Sequence, residues 1–467
     1  MSTNFSRRQL LARAGKGFGS LAAASLLQAA DPLAPKSGHA LPKAKRIIML
    51  FMHGGVSHVD TWDPKPQLAA RSGQTLPPSF VKGLKTSRID FTKAIVRGPA
   101  WKFQRYGRGG TEISDLFPNM ARHADDFVLV RSCYGDAFDH APAMYLLSTG
   151  SQLPGRPSLG SWSIYGLGSE NQNLPSFVVM SDGAMKCGPQ GYGAGFLPAV
   201  YQGTVFRSGA APVLNLSNPP GSAAATQRQT LDFIAAQNHE HLAARAGDDE
   251  LEARLQSYEL AYRMQAKAPE AVDLSSESEA TKKLYGIGEP ATDDFGRKCL
   301  LARRLLERGV RFVQLYSGTH LGDDWDNAHN DLTGSHQKMA KKSDLPIAGL
   351  LADLRGRGLL DDTLVVWASE FGRTPLAEGA NGRDHHPYAF SMWLAGAGIQ
   401  GGRVYGSTDD FGLRPAEHPV NAHDVNATIL RLMGLDHLRL TYFYQGRDMR
   451  LTDVHGENEF SSFLLQG

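Results

Sequence analysis

Short, continuous apolar runs separated by helical stretches constrain the fold of this chain more than any other feature. Such runs are typical of strands that are buried on both faces of a sheet. The six runs are 46–52, 127–131, 177–180, 310–316, 363–368 and 390–395. Strands that alternate with helices predict an α/β fold, in which a mainly parallel central sheet carries helices on both faces.

Two helices are predicted where apolar residues recur at helical spacing just before a strand. The first, which leads into the run 310–316, has one apolar face formed by Phe295, Cys299, Ala302 and Leu306. Asp293 can cap the start of this helix, and Gly309 can end it. The second helix covers 345–355 and leads into the run 363–368.

Residues 222–282 interrupt this alternation. They contain one apolar stripe at helical spacing, formed by Leu251, Leu255, Tyr258 and Tyr262. The charged residues between them are typical of a solvated helix face. We expect a helical insertion here that covers the sheet or an edge of the functional site.

The first thirty residues have the character of an export signal. Arg7 and Arg8 form a twin-arginine motif, an apolar Gly/Ala-rich stretch follows at 17–30, and residues 1–30 contain four cations and no acid. This pattern predicts a twin-arginine signal peptide and a periplasmic or extracytoplasmic location. A basic amphipathic surface helix is the alternative, and the apolar stretch is too short to span a bilayer. Residues 31–44, with three prolines, are expected to form a flexible lead-in to a domain at 45–467.

The composition excludes several classes of function. Lys and Arg number 49 against 47 Asp and Glu, so the chain has no basic excess with which to bind nucleic acid. The three cysteines have no paired spacing, which excludes a disulfide framework and a zinc ribbon. An exported oxidoreductase is a third and weaker hypothesis, because the sequence contains no dinucleotide fingerprint and no haem-attachment motif.

Histidines and carboxylates occur in five clusters next to the predicted strands. Four clusters follow a predicted strand: 53–60, 134–140, 323–329 and 369–374. The fifth cluster, 383–386, precedes a predicted strand. Ligands of open α/β sheets bind beyond the carboxyl ends of the strands, so we expect these clusters to meet at one edge. An acid such as Glu370, directly after a buried strand, is costly unless it is paired or bound to a metal.

Several segments of the chain resemble the exported family called domain of unknown function 1501. These segments are HGGVSHVDTWDPKP (53–66), GRPSLGSW (155–162), GFLPAVYQGTVFR (195–207), LLARRLLERGVRFVQLY (300–316), GLLDDTLVVWASEFGRTP (358–375) and GRDHHP (382–387). Members of that family resemble the alkaline phosphatase and sulfatase superfamily. The resemblance therefore implies an alkaline-phosphatase-like α/β domain over 45–467.

Residues 140–150 are similar to the sulfatase segment C-S-P-S-R-A-A-L-L-T-G. His140 stands where sulfatases have the Cys or Ser that supplies the nucleophile, and Met144 replaces an arginine. The formylglycine cofactor therefore cannot form at this position. The resemblance also implies that His53 and Glu370 replace metal-binding aspartates, so the site has either decayed or been rebuilt around a metal.

Because the replacements are themselves metal-binding residue types, we predict an exported metal-dependent hydrolase of phosphate, sulfate or related esters. The predicted metal ligands are His53, Asp60, His140, Asp326, Glu370 and His385. Imidazole and carboxylate without thiolate favour zinc or manganese, with magnesium, calcium and iron as alternatives. Water activated by the metal would attack a small-molecule or glycan ester.

Five residues are assigned roles in this reaction. His140 is either a ligand or, less favoured, a covalent nucleophile, because ligation occupies its lone pair. His386 or His329 would protonate the leaving group, while Arg383 and Arg373 would bind the anion through paired hydrogen bonds. The alternative function is a catalytically degenerate binding or assembly protein on the same fold, for an anionic glycan or another exported protein.

Overall fold

The computed structural model of the chain describes residues 31–209, 212–213, 216, 223–243, 249–319 and 323–466. The signal peptide predicted at 1–30 lies outside these described residues. Within the described part of the chain, no helix has both the length and the apolar character that are needed to cross a membrane.

The centre of the fold is a nine-stranded sheet. Its strands are β1 (Arg46–Met52), β2 (Phe127–Tyr134), β3 (Phe177–Met180), β4 (Thr204–Phe206), β5 (Phe312–Ser317), β6 (Thr363–Ala368), β7 (Phe390–Gly396), β8 (Arg403–Tyr405) and β9 (Val420–Asn421). The strands follow the order β8-β2-β7-β6-β1-β5-β3-β4, and β9 pairs with β2. All six predicted strands are confirmed: three have the predicted bounds, and the ends of the other three differ by one to three residues.

One strand of this sheet runs against the others. β7 pairs antiparallel with both β2 and β6, whereas all the other strand pairs of the sheet are parallel. The prediction of a mainly parallel sheet is therefore confirmed. Because β7 is reversed, its beginning lies at the edge where the parallel strands end, which we call the carboxyl edge. The segment 383–386 ahead of β7 therefore reaches the same edge as the segments that follow β1, β5 and β6.

Among the described residues, seven long helices accompany the sheet: α1 (His140–Thr149), α2 (Leu159–Leu167), α3 (Ala224–Ala243), α4 (Asp249–Val272), α5 (Asp293–Glu307), α6 (Leu332–Gly356) and α7 (Ala422–Leu432). α5 is the first predicted helix, and all four residues of its predicted apolar face are buried. Its N-cap is Thr292, one residue before the predicted Asp293. α6 begins thirteen residues before the predicted start at 345, where Asp331 accepts a hydrogen bond from the backbone N–H of Gly334, and it continues through Pro346.

The sheet is covered on both faces, as predicted. Side chains of β1 alternate between two cores: Ile48 and Leu50 belong to one, and Ile47 and Met49 to the other. The first core is completed by apolar residues of α5 and α6, and the second by residues of α1, α2 and α7. This double burial explains why β1 is apolar along its whole length.

Two long helices, α3 and α4, lie within the stretch 222–282. The C-terminal half of α4 reaches the first core through Met264, Ala268 and Ala271. Tyr258, from the predicted apolar stripe, is exposed, and the side chains of Leu251 and Leu255 lie outside the described residues.

Residues 31–44, expected to be a flexible lead-in, lie against the sheet-and-helix domain. The backbone N–H of Lys36 donates to the carbonyl of Leu167 at 2.9 Å, and that of Lys43 donates to the carbonyl of Leu432 at 2.8 Å. The lead-in is thus held by the C-terminal ends of α2 and α7.

The remaining elements are short. Short helices cover His58–Thr61, Pro66–Ala70, Pro78–Val81, Met120–His123, Gly188–Tyr192, Ala199–Tyr201, Glu279–Leu284, Trp325–His329 and Ser461–Leu465. Antiparallel strand pairs join Phe103–Tyr106 to Thr111–Ser114, Gly372–Arg373 to His385–His386, Ser407–Thr408 to Pro415–Glu417, and Tyr442–Tyr444 to Arg447–Met449.

Candidate functional site

The carboxyl edge of five neighbouring strands brings polar side chains together. His53 follows β1, Glu370 follows β6, and Asp326 and His329 lie on the short helix after β5. His385 precedes the reversed strand β7, and His140 begins α1, which follows β2. Since β2, β7, β6, β1 and β5 are consecutive in the sheet, the fold explains why clusters distant in sequence meet.

Close approach of two of these segments depends on a glycine. Gly54 has a φ of +118°, and a Cβ atom at this position would collide with the backbone nitrogen of Asp326. The backbone N–H of Trp325 donates to the carbonyl of His53 at 3.1 Å. A glycine after β1 therefore lets the segment that carries Asp326 pass directly over the end of this strand.

Three imidazole nitrogens converge on one carboxylate oxygen. Oδ1 of Asp326 lies 2.9 Å from Nε2 of His140, 3.0 Å from Nε2 of His385 and 3.3 Å from Nε2 of His329. The Nε2 atoms of His329 and His385 are only 2.8 Å apart. We call these four residues (His140, Asp326, His329, His385) the His–Asp cluster.

The His–Asp cluster fits a divalent cation. Within the described part of the chain, Nε2 of His140 is buried and has no hydrogen-bond partner of acceptable geometry, although it lies close to Asp326. The Nε2 atoms of His329 and His385 face each other at 2.8 Å, and a cation shared by these nitrogens and Asp326 would satisfy them together. Ligands of one tetrahedral zinc ion, with bonds of about 2.0–2.1 Å, are separated by about 3.3 Å. The observed separations of 2.8–3.3 Å equal this value or fall somewhat below it, so the ligand atoms would move slightly apart around a zinc ion.

The other nitrogen of each ring is held by an oxygen acceptor. Nδ1 of His140 donates to Oε1 of Glu370 at 2.6 Å, and Nδ1 of His385 donates to the carbonyl of Phe138 at 2.6 Å. Nδ1 of His329 donates to the carboxylate of Glu378. These contacts place the proton on Nδ1 and direct the lone pair of each Nε2 into the cluster, as outer partners of metal-bound histidines do.

Electrostatics at the His–Asp cluster also favour a cation there. Burial raises the pKa of Asp326, but contacts from the three imidazoles outweigh burial and hold this pKa well below its usual range. Burial also raises the pKa of Glu370, but the hydrogen bond and charge of His140 lower it to about 2. Burial lowers the pKa of His140, and its contacts with Asp326 and Glu370 more than reverse this effect. Both carboxylates are therefore ionised at neutral pH, and the position between them attracts positive charge.

Burial lowers the pKa of His385, and the nearby charge of Arg373 acts in the same direction. This imidazole is therefore neutral at physiological pH, which is the form that binds metal ions. Its neutrality and its orientation by Phe138 both suit the role of a ligand.

The structure brings three of the six predicted ligands into the His–Asp cluster: His140, Asp326 and His385. Glu370 lies one contact away, since Oε1 accepts hydrogen bonds from His140 and from the backbone N–H of Gly54 at 2.9 Å. His53 is buried beside the cluster, with its ring centroid 6.3 Å from that of His140. Among the described residues, neither joins a group of three converging ligand atoms.

Asp60 and Arg383 require a correction, because they form an ion pair with each other. Nε of Arg383 donates to Oδ2 of Asp60 at 2.8 Å, and both side chains have no exposed surface. The remaining donors of Arg383 reach backbone carbonyls of Thr374, Arg97 and Gly98 at 3.1–3.2 Å. Asp60 is thus not placed as a metal ligand. Arg383 has no exposed surface and all three of its nitrogens donate within the protein, so it is not placed to bind a substrate anion.

His386 also differs from its expected role. Its Nε2 donates to the carbonyl of Leu413 at 2.9 Å, and its ring stacks on that of His58 with centroids 6.1 Å apart. Burial lowers the pKa of His386 to about 3. Because adjacent residues of a strand point to opposite faces, His385 faces the cluster while His386 packs into the protein. It is therefore not placed to protonate a leaving group.

Arg373 and His329 lie at the cluster in roles other than those expected. Nη2 of Arg373 donates to Oδ1 of Asp326 at 2.8 Å, and its Nε donates to the carbonyl of Gly55 at 2.9 Å. Arg373 is fully buried and fixes Asp326 against the segment after β1. His329, expected as a proton donor, is one of the converging imidazoles.

Two residues of the site were missed by the sequence analysis. Nζ of Lys186 lies 2.6 Å from Oδ2 of Asp326, and Glu378 orients His329. Lys186 follows β3, so its position after a strand was a usable signal. Glu378 belongs to a loop between two short strands, and nothing in the sequence marks it.

The fold and the site together define an α/β protein with a histidine–carboxylate centre at the carboxyl edge of its sheet. The chain belongs to the family described as protein of unknown function (DUF1501), whose sequence profile matches residues 44–459. A comparison with curated proteins gives no match.

Solved structures similar to this chain include sulfatases and phosphatases. The PsFucS1 sulfatase from Pseudoalteromonas sp. is 14% identical with a TM-score of 0.38, over 90% of this chain and 72% of that chain. The alkaline phosphatase from the Antarctic bacterium TAB5 is 9% identical with a TM-score of 0.36, over 85% of this chain and 99% of that chain. The phosphonate monoester hydrolase SpPMH from Silicibacter pomeroyi is 15% identical with a TM-score of 0.32, over 72% of each chain. At TM-scores below 0.5, these similarities give no evidence about activity.

Proposed function

We propose that this chain is an exported, metal-dependent hydrolase of phosphate, sulfate or related esters. The convergence of three Nε2 atoms on Oδ1 of Asp326 is the observation that carries the proposal. Imidazole and carboxylate donors without thiolate suit zinc or manganese, with magnesium, calcium and iron as weaker alternatives. The substrate class is a small-molecule or glycan ester.

The residues of the chain divide into those that bind the ion and those that orient them. The His–Asp cluster would hold the ion, while Glu370 and Glu378 fix the rings of His140 and His329. When bound, such an ion activates water and neutralises charge on the ester oxygens. Arg373 and Lys186 prevent Asp326 from rotating away, since each donates to one of its oxygens.

Attack by water is favoured over attack by a side chain. When the Nε2 lone pair of His140 is bound to the ion and Nδ1 keeps the proton that it donates to Glu370, no lone pair remains for a covalent bond to the substrate. Cys187, the neighbour of Lys186, is buried, and burial raises its pKa to about 12, so its thiol is not ionised. Position 140 carries no hydroxyl or thiol group.

The proposal is tested by metal analysis together with hydrolysis assays on the purified mature chain. We expect stoichiometric zinc or manganese after expression in rich medium. We also expect the chain to hydrolyse members of a panel of aryl phosphates, phosphonates and sulfates. This activity should be lost on treatment with a chelator and restored when the metal is added back. Metal-free protein without turnover would exclude the hydrolase. A binding or assembly protein, including one with a protein partner, would be favoured by two results together. The chain would bind metal without turnover, and the His140→Ala and Glu370→Ala variants would retain the biological activity.

Export through the twin-arginine route is part of the proposal. Arg7 and Arg8 precede an apolar stretch in an acid-free segment, and this route carries folded proteins, which suits a chain that loads its metal before crossing the membrane. In the native host we expect the chain in the extracytoplasmic fraction, and the Arg7→Lys/Arg8→Lys chain in the cytoplasm. Unchanged export of the double variant would refute the route, and Arg13→Lys serves as the matched control.

A further inference from the structure

Lys186 connects two carboxylates of the site. Its Nζ atom lies 2.6 Å from Oδ2 of Asp326 and 3.3 Å from Oδ2 of Asp324. Only 14% of the Lys186 side chain is exposed, and Asp324 is almost fully buried. The backbone N–H of Lys186 also reaches Nε2 of His53 at 3.4 Å. Lys186 therefore contacts three residues whose side chains are of metal-binding types: Asp324, Asp326 and His53.

Two buried polar atoms around Lys186 have no hydrogen-bond partner in the part of the chain that the structure describes: Oδ2 of Asp324 and Nδ1 of His53. Both residues are at least nine-tenths buried. The Lys186 ammonium lies 3.3 Å from Oδ2 of Asp324, but this contact does not have the geometry of a hydrogen bond and is an ion pair only. Buried groups of this kind are costly unless a charge or a ligand compensates them.

The balance of charge at the site is consistent with one divalent ion. Asp324, Asp326, Glu370 and Glu378 supply four negative charges, and Lys186 and Arg373 supply two permanent positive charges. One divalent ion therefore neutralises the site. Two divalent ions would leave two positive charges before the substrate binds, which is unfavourable in a buried site.

Among the described residues, candidate ligand atoms converge in two groups of three: His140, Asp326 and His385 form one, and His329, Asp384 and His385 form the other. Neither group contains Asp324 or His53, so no group of three ligand atoms converges on the position of the Lys186 ammonium. We propose that the Lys186 ammonium takes the place of a second divalent ion, so that the site binds a single ion. This inference rests on the proposed function, because it concerns the same metal centre.

The inference is tested by counting metal ions in three forms of the full mature chain. Each form is stripped with chelator, loaded with excess zinc or manganese, separated from free metal by gel filtration and analysed by mass spectrometry. We expect one ion per chain for the unaltered protein and for Lys186→Arg, which keeps the positive charge. We expect a second, more weakly bound ion in Lys186→Ala, because Asp324 and Asp326 then lack their counter-charge.

Each outcome distinguishes this inference from the proposed function. Two ions in the unaltered chain, or one ion in a folded Lys186→Ala chain, would overturn the role of Lys186 and leave the metal-dependent hydrolase standing. No ion in any form would overturn both. Thermal unfolding followed by circular dichroism shows whether Lys186→Ala is folded. If it is not, the count in the unaltered chain decides, since two ions refute the inference and one supports it.

Discussion

Asp326→Asn is expected to lose bound metal and to lower ester hydrolysis by at least about 100-fold. Asparagine keeps the volume of aspartate but removes the negative charge on which three imidazoles, Arg373 and Lys186 converge. Without that charge, the two neighbouring cations repel a divalent ion instead of being neutralised. Metal content measured by mass spectrometry and turnover of the best ester in the panel check this result.

Asp323→Asn provides the matched control. Asp323 lies in the same segment, but 42% of its side chain is exposed and it pairs with Lys338 at 2.6 Å, outside the His–Asp cluster. We expect this variant to keep both its metal and its activity. Full metal content in Asp326→Asn would contradict the assignment of the cluster, and equal losses in the two variants would show that the effect is not specific to Asp326.

The sheet was predictable from sequence because burial on both faces leaves a simple pattern. Residues of β1 and β6 face a hydrophobic core on each side of the sheet, so both strands are recognisable in the sequence as continuous apolar runs. The direction of β7 was not predictable, since a doubly buried strand is equally apolar in either direction. The start of α6 was also missed: its first half precedes Pro346, and proline in a pattern is normally taken as a boundary.

The site was predictable only where residue type and a position next to a predicted strand coincide. His140, Asp326 and His385 meet both conditions. Asp60 and Arg383 meet them too, but 323 residues separate the two partners of their ion pair, and sequence gives no sign of that contact. Lys186 was passed over because a lysine is not a metal ligand. Its importance comes from the two carboxylates that the fold places around it.

Arg383→Met is expected to lower the free energy of unfolding by about 3–5 kcal/mol. The substitution leaves the Asp60 carboxylate in a site with no exposed surface. Among the described residues, its remaining hydrogen bonds come from Ser57 at 2.5 Å and from the backbone of Ala100 at 2.9 Å. Urea denaturation followed by tryptophan fluorescence measures the change.

Two comparisons separate this structural role of Arg383 from binding of a substrate anion. Arg108→Met removes an arginine that is 92% exposed and lies 3.6 Å from Asp125, so we expect a change below about 1 kcal/mol. The double variant Asp60→Asn/Arg383→Met should lose less stability than the sum of the single losses, because no unpaired charge remains buried. If Arg383 instead held the substrate, Arg383→Met would keep the stability of the unaltered chain and raise KM. Because Arg383 forms a buried ion pair with Asp60, we expect the opposite result for Arg383→Met. The variant should lose much of its stability, and KM should be unchanged in the molecules that remain folded.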